Sequence, residues 1–444
     1  MYRLLTPLAL CVFFLPIHPA WAWQTPDEFA KAKDDNWHQW RGPNANGTAP
    51  SAKPPTEWSS IKNMRWKVAV PGEGISTPIV WQGRVYLVSA VDTGKEPDEV
   101  PKVDERAMTR PPKSIYAFMV WCHDLETGKL IWKQKATEAV PFEGRHKTST
   151  YAAASPMTDG KHLLVSFGSY GIFCYDLDGK KIWERDLGDM RTRKGWGEAV
   201  SPVIFEDKVV VNWDQEDQSQ IFVLQLKDGK TIWAKKRDEP TTWATPLCVK
   251  RDGVTQLITN GTSKLRSYNL DNGEVIWQTR GTTLNAIPCP ILFEDKVICM
   301  AGYRGNRAIS VSLGSKGDVS DDQVHWEIRR GTPYVPSPCL SGERLYYSTG
   351  LSAVLNCVNA KTGETIYGPQ RLPGQRGLYA SPIVADGKVY LPGRGGTTLV
   401  FKDADSFELI ATNELPDKID ASPVAVGNKL LIRGHKFLYC IGEK

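Results

Sequence analysis

Aromatic, acidic and cationic side chains recur at two positions of a repeating unit in this chain, and their mix suits stacking and pinning a ligand. Ahead of a series of small-residue/proline pairs stand His146 and Tyr151, Trp196 and Glu198, Trp243, Asn285, Tyr334, Arg376 and Tyr379, and Asp420. A second set follows the second apolar run of its unit: Tyr170, Trp213 with Asp214, Arg304 and Arg394. Ring faces beside guanidiniums and amides fit a planar or polyanionic small molecule, stacked on the rings and held at its rim by charge-assisted hydrogen bonds. The same residues fit a plainer role, with the rings filling a hollow and the charges pairing with one another. Glu198 and Asp214 add the option of calcium ligation or a general base.

Other chemistries find little support. His38, His123, His146, His162, His325 and His435 fall in different units, and no HxH or HExxH pattern occurs, so no zinc site is expected. No Ser, Cys or Asp comes with an identifiable base. The glycine-rich stretches at 168–171, 302–305 and 393–396 precede no helical pattern and read as hairpin turns, which leaves Arg304 and Arg394 as anion-binding candidates.

The elements that must position these residues are strands. From Ser201 to Trp233, short apolar and β-branched runs are cut by turns at Glu206-Asp207 and Asp228-Gly229, with no 3.6-residue period. Relatives of this unit recur behind prolines at 78, 156, 202, 246, 290, 338, 382 and 423. A period in the forties with four strands per unit marks propeller blades. The first interval is longer because a charged insertion, residues 91–114, interrupts blade one.

A glycine four residues before an aromatic recurs at Gly128/Trp132, Gly179/Trp183, Gly229/Trp233, Gly273/Trp277 and Gly363/Tyr367, while Trp326 ends a stretched version. These rings, on the outermost strands, are expected to dock each blade on its neighbour. Blade seven lacks both Gly and Trp. The eighth unit has room for three strands, and the orphan strand around Trp66 carries the missing tryptophan. The fold expected is thus all-β, a single eight-bladed propeller closed by the N-terminal strand, with seven blades as the alternative. The chain divides into a signal peptide at 1–22, an N-terminal arm at 23–65 and the propeller at 66–444.

Residues 1–22 read as a secretory leader, with Arg3, an apolar run from Leu4 to Ile17, and a cleavage site after Ala22. A periplasmic or secreted protein is expected, without a membrane span. The formal charge of +5 over 444 residues, without a Lys/Arg block, gives no case for nucleic acid or an anionic membrane, and no nucleic-acid partner is expected. Eight cysteines follow the leader, mostly inside apolar runs, and read as buried thiols; Cys289 with Cys299 and Cys339 with Cys357 are the pairs if bridges form.

The segment Asp124 to Trp132 resembles the repeat of the pyrroloquinoline-quinone (PQQ) propeller superfamily, which holds quinoprotein alcohol dehydrogenases and the propeller lipoprotein of the outer-membrane barrel-assembly machinery. The resemblance implies the propeller fold and leaves two functions open. PQQ with calcium is the cofactor of a dehydrogenase, but the adjacent cysteines of such enzymes are absent here. The leading expectation is therefore an exported, monomeric, non-catalytic binding or scaffolding module that holds a protein partner or small ligand at its funnel. A quinoprotein dehydrogenase and a polysaccharide-binding propeller are the alternatives.

Overall fold

A computed structural model describes residues 26–443; the leader assigned to residues 1–22 lies outside them. Eight antiparallel sheets follow one another along the chain, giving a β-propeller of eight blades. Blade three is the unit first read from the sequence, with strands Val203–Phe205, Lys208–Trp213, Gln220–Gln225 and Thr231–Lys236. Its second strand is buried without a break from Val209 to Trp213, as befits a strand covered on both faces.

In the last blade, Met64–Ala69 pairs with Phe437–Gly442, bringing the strand of Trp66 onto the C-terminal end of the chain. Blade five departs from the pattern. Its long turn contributes Gly317–Asp318, which pairs parallel to the outer strand of blade four and covers that sheet edge.

Two belts of contacts join the blades. At the outer radius, the indole nitrogens of Trp66, Trp132, Trp183, Trp233 and Trp326 donate to Leu125, Leu177, Leu226, Leu270 and Ala360, each a carbonyl of the following blade. Each ring also lies on a turn glycine of that blade: a Cβ on Gly229 would sit 2.7 Å from the Trp183 ring. Trp277 differs. Blade five has no such glycine, and Trp277 donates to Gln256, which in turn donates to the Leu313 carbonyl of blade five. Tyr367 stacks obliquely on Tyr346, whose hydroxyl reaches Asp403 of blade seven. Blade seven has no docking tryptophan of its own, and Trp58 from the N-terminal segment packs against its Tyr390 instead.

The inner belt is made of the residues that precede the recurring prolines. The Thr77 amide donates to Ser155, Ser155 to Ser201, and Ser201 to Thr245. The relay resumes from Cys289 to Ser337, Ser381, Ser422 and back to Thr77. It is interrupted only between blades four and five, where Cys289 replaces a hydroxyl and its sulfur takes the Trp40 indole N–H instead.

The segment from Trp37 to Lys53 crosses the ring on the side opposite the loops that precede the prolines. Trp37 bridges Val80 of blade one, His38 accepts from Thr158 of blade two, and Lys53 donates to Gly427 of blade eight. Between these, the buried Arg41 donates to the carbonyls of Pro338 and Pro382. The eight described cysteines are all free thiols, so neither candidate pair is bridged.

Candidate functional site

The residues singled out in the sequence separate into two places on the loop-bearing face. Around the axis stands a collar of rings contributed by blades two to seven. His146 meets Trp196 edge-on at 5.6 Å, and Trp196 is offset-stacked near Trp243 at 6.4 Å. Trp196 also meets Tyr303 edge-on at 6.3 Å, and Tyr303 stacks on Tyr334 at 4.8 Å. Thr148 links the ends, accepting or donating at His146 Nδ1 and donating to the Tyr379 hydroxyl. The collar rings are partly exposed.

Asn285 lies beneath Tyr334 in the left-handed region, with φ of 56°. It is 1% exposed, and its amide faces the Tyr334 phenol without a hydrogen bond of full geometry to that or any other described residue. A buried unfilled amide is costly, and among the buried polar atoms left unfilled in the described residues Asn285 is the one side-chain amide with both its nitrogen and its oxygen open.

The charge around the collar is positive. Lys194 sits over Trp196, Arg304 over Tyr303, and Arg394 over Tyr379 at 3.9 Å. Burial lowers the His146 pKa, and Lys147 and Arg394 lower it further. Burial raises the Tyr334 phenol, while Asn285 and Arg193 act the other way. Among these cations Arg394 is paired: its Nε and one Nη donate to Asp420, whose other neighbour is His435 at 2.9 Å. Burial pushes the Asp420 carboxyl up, but the His435 and Arg394 bonds outweigh it and hold it below the usual range. Lys147, Arg304 and Arg376 are exposed and form no ion pair among the described residues.

The second place is a cleft between blades two and three, off the axis. Tyr151, Tyr170, Glu143, Glu198 and Trp213 line it. Its enclosed volume is about 30 Å³, room for about one water molecule. Glu198 accepts from the Ser169 amide at 2.9 Å and hydroxyl at 2.6 Å. Burial nevertheless pushes its carboxyl up to about 8. Glu143 accepts from the Thr192 amide and hydroxyl, and burial pushes it to about 7. Near neutral pH both carboxyls therefore carry much of their proton. The insertion of blade one roofs this region: Met108 donates to the Lys194 carbonyl, Thr109 to Gly195, and Arg106 reaches Asp217 of blade three.

Asp214 belongs to neither place. It is 0% exposed in its side chain, and its oxygens are taken by Arg237 at 2.7 Å, Thr242 and Asn212. This removes the pairing of Glu198 with Asp214 as calcium ligands. Among the described residues no three His, Cys, Asp or Glu side chains converge as metal donors. A calcium ion held with PQQ needs several convergent oxygens, and no cluster of carboxylates supplies them among the described residues.

Two residues of these places escaped the sequence reading. Tyr303 lies on the same connection of its blade as Tyr170 does, after the second strand, inside a stretch read only as a turn. Glu143 lies on the connection between blades one and two, too far ahead of the Ser155-Pro156 pair to share the offset.

The family profile described as outer membrane protein assembly factor BamB matches residues 118–368, more than half of the chain. An uncharacterised protein of Rickettsia conorii is 24% identical over 249 residues, 54% of this chain and 55% of its own, so the chain spans about half the length of that relative. BamB of Yersinia pestis is 23% identical over 329 residues, covering 71% of this chain and 77% of its own. Among solved structures, BamB from Moraxella catarrhalis superposes with a TM-score of 0.54 at 14% identity, over 80% of this chain and 99% of that one. A quinohemoprotein alcohol dehydrogenase from Pseudomonas putida gives 0.59 at 11% identity, over 93% and 81%, so the fold alone is shared with BamB and with an enzyme. The profile match places this chain in the BamB-like family of PQQ-type propellers.

Proposed function

We propose that this protein is an exported, non-catalytic binding propeller whose ligand or protein partner docks on the axial collar. What carries the reading is the contrast between the two ends of the axis. One is crossed by the segment from Trp37 to Lys53, and the other presents partly exposed rings edged by unpaired cations. Stacked rings with a few converging polar groups are the usual make-up of a binding pocket. Catalysis would require a positioned base or nucleophile, and the two candidate carboxyls serve other ends: Asp214 is consumed by Arg237, and Glu198 sits in a cleft with room for about one water. The BamB-like family membership supports a scaffold role and leaves the partner's identity to experiment.

The leader at 1–22, the arm at 23–65 and the monomeric state are part of the same proposal. The test is a titration of the mature protein, followed by tryptophan emission, with PQQ plus calcium, oligosaccharides and peptides. A saturable change that disappears in Trp196→Ala and Tyr303→Ala, without dye reduction in the presence of alcohols, is expected. Dye reduction on adding PQQ and calcium would contradict the non-catalytic reading.

A further inference from the structure

The collar's polar groups point to a particular ligand chemistry. The buried Asn285 amide faces the Tyr334 phenol without completing a hydrogen bond of full geometry to it, so that it offers a donor and an acceptor together with no other partner among the described residues. A carboxylate, sulfate or phosphate offers only acceptors, whereas a peptide group supplies a carbonyl and an N–H and can engage both. Above this amide the rings of Trp196, Tyr303 and Tyr334 provide faces that accept many side chains without a strict size requirement. The rim adds the sign: Lys147, Arg304 and Arg376 are exposed and unpaired among the described residues, while Asp420, at the same rim, is neutralised by Arg394 and His435.

We propose that the collar takes an acidic peptide segment, its backbone clamped by Asn285, an apolar side chain laid on the rings, and its carboxylates met by Arg304 and Arg376. The proposal rests on the collar being a binding site and adds the class of occupant. Because the rim cations are exposed, they act mainly on the rate of encounter and on salt sensitivity, while the buried amide and the rings set how long the peptide stays.

The experiment is fluorescence anisotropy with the mature protein and a labelled peptide repeating Glu-Phe-Gly, against the same peptide with Lys for Glu and against a heparin oligosaccharide. The acidic peptide is expected to bind saturably, more weakly as salt rises, and about tenfold more weakly in Asn285→Leu and in the Arg304→Glu/Arg376→Glu double variant. Melting curves check that the variants fold; should Asn285→Leu fail to fold, the rim double variant decides alone. Equal binding of acidic and basic peptides, or no effect of the rim variant, overturns the proposal. Binding of heparin with none of the acidic peptide also overturns it but leaves the collar as a binding site. Silence of every probe at the collar tryptophans tells against both readings.

Discussion

The collar and the cleft are built from the same two loop positions of neighbouring blades, yet they end as opposite environments. Rings of the collar lean on one another around an open axis, with cations beside them. Rings of the cleft are packed into the blade interface: Tyr170 stacks on Phe118 at 4.6 Å, and Trp213 is 2% exposed. Burial raises the pKa of both its acids, and the insertion at 91–114 reaches over them through Met108. Position in the repeat therefore does not decide what a loop residue does; distance from the axis and what lies above it do.

The largest effect should come from behind the cleft. Asp214→Ala leaves Arg237 charged, buried and unpaired, at a cost of about 3–5 kcal/mol in denaturant unfolding. A near-neutral outcome would return Asp214 to the list of site residues. Trp183→Ala should rank next, at about 3 kcal/mol or more, since it empties the interface over Gly229 while leaving the collar chemically intact. Trp196→Ala should cost less stability, under about 1.5 kcal/mol, because its ring is only half-buried, and this unequal response of two tryptophans separates docking from collar.

The pH response sharpens the contrast further. Glu198 and Glu143 have folded pKa values raised above those of the unfolded chain, so the folded state binds more protons between about pH 4.5 and 8. Stability should fall as pH rises through that window and level off above it, and the Glu198→Gln variant should show a flatter profile in thermal melts. Smallest of all, Arg376→Ala should change stability by no more than about 0.5 kcal/mol.

Much of this architecture is legible in the primary structure because it is periodic. The recurring prolines mark the innermost strands, and the tryptophans mark the outermost, so eight blades and closure through Trp66 follow from spacing. The inner hydroxyl relay was visible as the Ser and Thr before those prolines, but its partners lie some 40 to 80 residues away, and on the last link 345, and only the ring geometry joins them. Loop residues are harder for the same reason. Tyr303 in Gly302-Tyr303-Arg304-Gly305 has the composition of a simple turn, and only its stack on Tyr334 makes it part of the collar. Glu143 owes its raised pKa to burial in the cleft, where it accepts from Thr192, 49 positions on, and no local pattern announces that setting. Trp58, in a proline-rich stretch without repeat character, occupies the interface where blade seven has no tryptophan to give.

Hydroxyl-radical footprinting of the folded protein, read by mass spectrometry at each aromatic, tests the division between the two places most directly. Trp196, Trp243, Tyr303 and Tyr334 should oxidise readily and become protected when the acidic peptide is added, with Tyr170 and Trp213 resistant throughout. Rapid oxidation of Tyr170 and Trp213, or protection appearing there instead of at the axis, would contradict the account.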